Sequence, residues 1–518
     1  MRPRDPFDDD AGPPHVNLDL LAYALQEVIV TDGIVFLMIG VALGLCFGII
    51  PGLGGTTALA LLIPITYAME PFDALLLAGG VMGATSFGGS ISAILINTPG
   101  TAPNAATCFD GYPLAQQGKA GLALGASATA SALGGLIGIF TLLLVIPIAK
   151  AVVLAFGPPE FFLLALLGLC AIAVASRGKL LRGLIAGGFG LMLAFVGYDS
   201  VSGGIRYTGG SDYLWDGVRL VPTLTGMFAI AQMLELALKG GSVAADPTKV
   251  AITRVFDGVV AVFRHWTVLV RGSLIGTIIG AIPGLGGTVA GFLAYTSTLQ
   301  TAKDPSSFGK GNIAGVIAPE AANNAKDGGS LIPTVAFGIP GSAETALFLA
   351  ILVLHGINPG PTILLYNEHE VYGLIVALTA SAVLASALGL IFARFLTLIT
   401  VINVHILVPV VVAVSLTGVY VLNRDPGDVI LCLIMGLIGY LMIRFDYPRL
   451  TLVIALVLGE TAERAFHQTW MISDGNLAIF FGRLPSVVLL AAIVFTLTLP
   501  SLRKLLDRRK AAPEVAAE

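Results

Sequence analysis

The stretch Ile50-Pro51-Gly52-Leu53-Gly54-Gly55-Thr56 decides the fold, because the same seven residues return as Ile282-Pro283-Gly284-Leu285-Gly286-Gly287-Thr288. A second shared segment follows each copy. In the first half it is Gly88-Gly89-Ser90 then Pro99-Gly100-Thr101; in the second it is Gly328-Gly329-Ser330 then Pro340-Gly341-Ser342, in register but for one residue. The chain is an internal duplication. Each motif interrupts an apolar run that would otherwise be long enough to cross a bilayer. Pro and Gly break helices, and irregular backbone at membrane depth is tolerated only where it is buried in protein or lines a cavity. Paired interruptions in the two halves of a repeated membrane protein point to a transporter's substrate site; the plainer reading is kinks and close-packing glycines.

Composition agrees. Of 518 residues 56% are hydrophobic and 12% charged, 63 are glycine, and mean hydropathy is +0.90. This is the profile of an all-α polytopic membrane protein. A net charge of -4 gives no argument for nucleic acid. Cys46, Cys108, Cys170 and Cys432 are scattered and read as packing residues; the six histidines form no metal-ligand spacing. No Gly-x-x-x-x-Gly-Lys-Ser/Thr nucleotide loop is present. Ser176 and Lys179 have Ser-x-x-Lys spacing, but beside Arg177 they read as a topology signal and not as a hydrolase, so no enzyme is expected.

Several motifs closely resemble the large permease subunit of the tripartite tricarboxylate transporters, the TctA family. They are Gly88 to Leu95, Asn97-Thr98-Pro99-Gly100-Thr101, Phe109-Asp110-Gly111-Tyr112-Pro113, Pro319 to Ala325, and Gly338 to Ala343. The resemblance runs from about residue 35 to about residue 475. It implies uptake of organic carboxylates (tricarboxylate, dicarboxylate or related acid) across the cytoplasmic (inner) membrane, with a periplasmic or extracellular solute-binding protein and a small membrane subunit as partners. It also implies cation coupling, with Na⁺ and H⁺ both open and no other cofactor. A channel or a binding-protein-independent carrier for small organic anions is the alternative.

The expected organisation is a disordered cytoplasmic tail over 1–17, an interfacial helix over 18–33, a first transmembrane repeat over 34–238 and a cytoplasmic linker over 239–266. A second repeat over 267–475, an additional helix over 476–500 and a cytoplasmic tail over 501–518 follow, giving ~11 to 13 transmembrane elements. The turn-forming Asp110-Gly111-Tyr112-Pro113 sits in a polar connector over 99–119. Lys and Arg at 177–182, 239–271, 444–449 and 503–510 place those segments inside, which makes the two halves inverted. Tyr198, Tyr207, Tyr213 and Trp215 suit an interfacial belt.

A carboxylate site needs donors, and half-helix N-termini supply them through unpaired N–H groups and the helix dipole. Glycine lets the backbone approach, and Ser and Thr add hydroxyls. The substrate candidates are Gly52, Gly54, Gly55, Thr56, Ser90, Ser92, Asn97, Thr98 and Thr101, then Gly284, Gly286, Gly287, Thr288, Ser330, Thr334 and Ser342, with Thr345 beside them. Ordinary capping and interhelical bonding is the competing role for each hydroxyl. Carbonyls near Pro99-Gly100 and Pro340-Gly341 are candidates for a coupling Na⁺. Glu320, Asn323, Asn324 and Asp327 would share one helical face, at about 0°, 300°, 40° and 340°, and form a cation or proton site. Lys326, matched by register to Ser86, lies at about 240°. Adjacent helical residues do not face each other, so Asp327 is expected to be a poor partner for it, and a substrate's second carboxylate is the proposed anion.

Overall fold

The computed structural model describes residues 16–30, 32–175, 180–199, 203–239, 252–399 and 404–511. Residues 1–15, Ser176 and Lys179 with the two residues between them, residues 240–251 of the expected linker and residues 512–518 lie outside them. Among the described residues the chain is helical throughout, apart from one two-stranded ribbon, as an all-α membrane protein requires.

The first half opens with α1 (Leu18–Val30), bent by 83° from α2 (Gly33–Ile49). The Pro51 break follows, then α3 (Gly54–Thr66), α4 (Pro71–Ile96), α5 (Ala105–Gln116) and α6 (Ala120–Leu154). Next come α7 (Pro158–Ala175) and α8 (Leu180–Ala194), then α9 (Leu220–Leu224), which runs through a π-helical stretch (Thr225–Ile230) into α10 (Ala231–Lys239). The second half repeats the opening: α11 (Val255–Arg264) is bent by 80° from α12 (Trp266–Gly280), and the Pro283 break leads to α13 (Gly286–Thr301) and α14 (Ala314–Phe337). It continues with α15 (Ala343–Leu354), α16 (Pro361–Tyr366), α17 (Glu368–Ile399), α18 (Val404–Asn423) and α19 (Pro426–Arg444). The chain ends with α20 (Arg449–Ile472), α21 (Ile479–Gly482) and α22 (Leu484–Ala511).

Six of these helices are long and apolar enough to cross a membrane, or up to eight if each bent pair is one span. The larger number expected from sequence counted pieces beside the breaks, and helices such as α3 and α15, at 13 and 12 residues, fall short of the ~20 that a span needs. Two corrections follow. The Asp110 to Pro113 stretch is helix and not turn: Gly111 lets α5 lie against Ile94 of α4, and the buried Asp110 carboxylate accepts from the amides of Gly311 and Asn312 and from the Tyr295 hydroxyl. The stretch read as linker also holds a helix, α11, whose Gly258 sits on the first turns of α6.

The chain divides into two compact units, one of residues 1–153 and 219–441, the other of 154–218 and 442–518. In the larger unit the repeat is visible in the packing. Gly40, Gly44 and Gly48 let α2 press its backbone onto α4 at Leu77, Val81 and Thr85; Gly272, Gly276 and Gly280 do the same for α12 against Ala318, Ala322 and Lys326 of α14. These are small-xxx-small contacts, in which missing side chains allow close helix approach. The halves also exchange contacts reciprocally. α3 packs on α15 while α13 packs on α5, and α1 packs on α17 while α11 packs on α6. α17 covers α4, with Ala377 and Ser381 against Gly79 and Gly83, while α6 covers α14, with Gly134 and Gly138 against Ala321 and Ala325. Such mutual exchange is the signature of a pseudo-two-fold relation. It leaves α4 and α14 buried over nearly their whole lengths.

In the smaller unit Glu160 is fully buried and held by Arg483 at 2.7 Å. Arg206, on the ribbon Gly197–Tyr198 paired with Ile205–Arg206, makes a two-pronged bond to Glu463 at 2.8 and 2.9 Å.

Candidate functional site: two matched breaks and a buried polar stripe

The two breaks have one geometry. The amide of Gly52 donates to the carbonyl of Gly100, and that of Gly284 to Gly341, each at 3.3 Å. Gly52 and Gly284 have φ of +88° and +85°, and Gly54 and Gly286 have +63° and +65°, left-handed values that favour glycine. The offset of 241 residues that carries Gly100 to Gly341 also carries the left-handed cap of α4, Asn97, to that of α14, Gly338. The Pro99-Gly100 and Pro340-Gly341 turns thus buttress the breaks, with the Cβ position at Gly100 only 1.9 Å from the Gly48 carbonyl.

Beyond each break a helix starts without a side-chain cap, at Leu53 for α3 and at Leu285 for α13. Gly54, Gly55 and Thr56, and Gly286, Gly287 and Thr288, therefore present first-turn N–H groups. Gly55 abuts Thr85; Gly287 abuts the Lys326 side chain. Thr85, and not Ser86, is thus the first-half mate of Lys326. The Gly-Gly-Ser motifs align one residue out of structural register, so that Gly88 corresponds to Gly329.

The other hydroxyl candidates divide. Ser92 donates to the Gly89 carbonyl, Thr98 to Ile96 and Ser330 to Asp327, all local. Thr334 donates to Ser330 and accepts from the Gly341 amide, holding the second turn. Ser342 and Thr345 form a capping box on α15. Asn97 is exposed. Ser90 alone among them reaches across the halves, to Glu320 at 2.5 Å.

Glu320 lies six residues inside α14, which begins at Ala314, so it is neither a helix cap nor part of a surface loop. Its carboxylate is fully buried and meets four hydroxyls: Ser90 of α4, Thr107 of α5, and Ser127 and Ser131 of α6, the last two each at 3.0 Å. Asn104 extends this network. Its amide donates to Ser90 at 2.8 Å and to the Ser86 carbonyl at 2.9 Å, and its carbonyl accepts from Thr101. A continuous path of side chains thus runs from the first Pro-Gly turn to Glu320. Sequence reasoning missed Asn104, Thr107, Ser127 and Ser131; the one local signal was the i, i+4 spacing of the two serines on α6.

One turn beyond Glu320, Asn323 is 1% exposed and neither polar atom of its side-chain amide has a partner among the described residues; the carbonyl oxygen of Asn324 likewise has none there. A buried amide without partners is costly, so each such group points to something it is built to meet. A further turn on, Lys326 Nζ meets Asp327 Oδ1 at 2.6 Å and Glu344 Oε2 of α15 at 3.1 Å. This overturns the expectation that Asp327 is a poor partner. The four-carbon stem of lysine lets the ammonium swing back to a neighbour that a shorter side chain could not reach.

The sequence profile described as "Tripartite tricarboxylate transporter TctA family" matches residues 34–454. An uncharacterized 52.8 kDa protein in the TAR-I ttuC' 3' region of Agrobacterium vitis is 33% identical over 494 residues, 94% of this chain and 97% of that protein. An uncharacterized protein in the TAR-II ttuC' 3' region of the same organism is 31% identical over 236 residues, 45% of this chain and 98% of that protein. No solved structure matches significantly.

Proposed function

Because this chain belongs to the tripartite tricarboxylate transporter TctA family, a family of multi-pass membrane transporters, we propose that it is the large permease of a binding-protein-dependent importer of organic carboxylates in the cytoplasmic (inner) membrane. Its partners are a solute-binding protein outside the membrane and a small membrane subunit, and uptake runs on a cation gradient. The observation that carries this reading is the matched pair of breaks, each bonded Gly to Gly at 3.3 Å and each followed by an uncapped helix start. Such paired ends offer N–H groups to an anion without a full positive charge.

In this reading the first turns of α3 and α13 hold the acid, with Thr56 and Thr288 each the third residue of its helix and partly exposed. Lys326 acts beside the second break. Its two carboxylate partners offset its charge, and an acid arriving at the start of α13 competes with Glu344, the partly exposed member of the triad. Asn323, unpartnered between the triad and Glu320, completes the polar face. Coupling rests on the α14 stripe.

The test is counterflow. Proteoliposomes holding the permease with its small subunit are loaded with unlabelled citrate or succinate and given binding protein and labelled acid outside. A carrier accumulates label transiently against its gradient; a pore gives only equilibration, which would remove the proposal.

A further inference from the structure

We propose that the coupling ion is a proton and that Glu320 carries it, with the Ser90 hydroxyl as the switch between its two states. This rests on the transport reading above and names the ion and the group, which that reading leaves open.

The hydrogen-bond arithmetic carries the argument. Glu320 Oε2 lies within bonding distance of three hydroxyls, those of Ser90, Ser127 and Ser131, while Oε1 meets Thr107. Ser90 has one hydroxyl hydrogen but two acceptors in reach, Oε2 at 2.5 Å and the Ser86 carbonyl at 3.0 Å, and cannot serve both at once. A proton on Oε2 resolves the competition. Glu320 then donates to Ser90, and Ser90 turns its own hydrogen to the Ser86 carbonyl, which lies 3.0 Å away. On release of the proton, Ser90 rotates back and donates to Oε2, and the Ser86 carbonyl keeps its bond from Asn104. Every partner is satisfied in both states, and one O–H rotation connects them.

The distances favour a proton over a metal cation. Oxygens sharing an octahedral cation at ~2.4 Å stand roughly 3.4 Å apart. Those around Glu320 stand at 2.5 and 3.0 Å, hydrogen-bonding separations.

The repeat supplies independent support. The offset of 241 that superposes α4 on α14, and one Pro-Gly turn on the other, carries Gly79 to Glu320, Ser90 to Leu331 and Thr107 to Phe348. The mirror position is thus apolar, with Leu331 and Phe348 buried. A pin required by the fold would be needed at both places; this group exists once per molecule.

Among the described residues Glu320 has no cationic partner. α5 brings Cys108 and Asp110, the latter bonded to Tyr295 of α13. α4 and α6 bring Asp73 and Lys150, each more than about four turns along the helix from these serines. On α12, Arg271 is held by Thr301. Lys326 and Asp327 are bonded to each other, and Lys326 also to Glu344 of α15.

Infrared difference spectroscopy on reconstituted protein, stepped from high to low pH without Na⁺, tests this without a substrate. Wild type is expected to gain the carbonyl band of a buried protonated carboxyl, and Glu320→Gln to lack it. Ser131→Ala, which removes a donor to the ionised form, should raise the midpoint of that band by a measurable fraction of a pH unit. A band that survives in Glu320→Gln, or one that Na⁺ abolishes at constant pH, overturns the proposal. If Glu320→Gln does not insert, the wild-type Na⁺ titration and Ser131→Ala still decide. In transport, Glu320→Gln should lose proton-driven accumulation; absence of counterflow in wild type would instead sink the transport reading.

Discussion

Lys326 and Asp327 are consecutive residues of one buried helix, yet their charged ends meet at 2.6 Å, with Glu344 of the next helix closing the triad at 3.1 Å. Breaking a buried ion pair from one side costs about 3–5 kcal/mol, because the remaining charge is left unpaired. Lys326→Met should therefore lower the thermal unfolding midpoint markedly in nanodiscs, and adding Asp327→Asn should restore part of it. An unchanged midpoint in the single variant would show that the triad contributes nothing to stability. Uptake of a dicarboxylate and its matched monocarboxylate in Lys326→Met then asks about substrate: a selective loss of the dicarboxylate is expected.

The breaks predict a different phenotype. Valine at the left-handed Gly54 or Gly286 costs roughly 1–2 kcal/mol in backbone strain, which a protein of this size survives. Gly54→Val and Gly286→Val should insert into the membrane normally and abolish uptake. Wild-type uptake in both would count against the breaks as the site.

Close packing can be tested in both halves at once. A Cβ at Gly276 would lie 2.2 Å from the Ala322 carbonyl oxygen, and one at Gly44 would lie 2.7 Å from that of Val81. Backbone cannot yield as a side chain can, so Gly276→Leu and Gly44→Leu should each destabilise by about 3 kcal/mol or more. A Cβ at the exposed Gly188 would meet nothing within 4 Å, so Gly188→Leu should stay within roughly 0.5 kcal/mol of wild type. Equal midpoints for all three would refute the packing account.

Asn323 separates stability from function. Its amide is buried with no partner among the described residues, so Asn323→Leu, which keeps the branched shape, should leave stability unchanged or raise it by about 1–3 kcal/mol. Transport should fall at least tenfold (~1.4 kcal/mol or more in transition-state terms). A variant that transports normally would mean that the amide meets nothing in the working cycle.

The duplication, the breaks and the α14 stripe were legible because each is local: a repeated heptapeptide, a Pro-Gly pair, a helical spacing. The Glu320 network was not. Its hydroxyls come from three helices about 190 to 230 residues away in sequence, and a serine among alanines and glycines carries no sign of what it will face. The one-residue register error at Ser86 and Thr85 has a similar origin: the printed Gly-Gly-Ser repeat is the stronger pattern to the eye, but the contacts of Gly48 and Gly280 fix the true alignment. Lys326 was misjudged because a rule for helix surfaces describes Cβ directions and not the reach of a long flexible stem.

The exchange of contacts between halves sets an order of manufacture. α4 is covered by α17, and α14 by α6, so neither half can close its own central helix. While the ribosome is still threading the second half, α4 waits in the bilayer with the glycine edge that will meet Ala377 and Ser381 unprotected. The first half must persist as an open intermediate until α17 emerges. Truncations before that helix should be recognised as unfinished and degraded, and two separately translated halves should be able to complete each other.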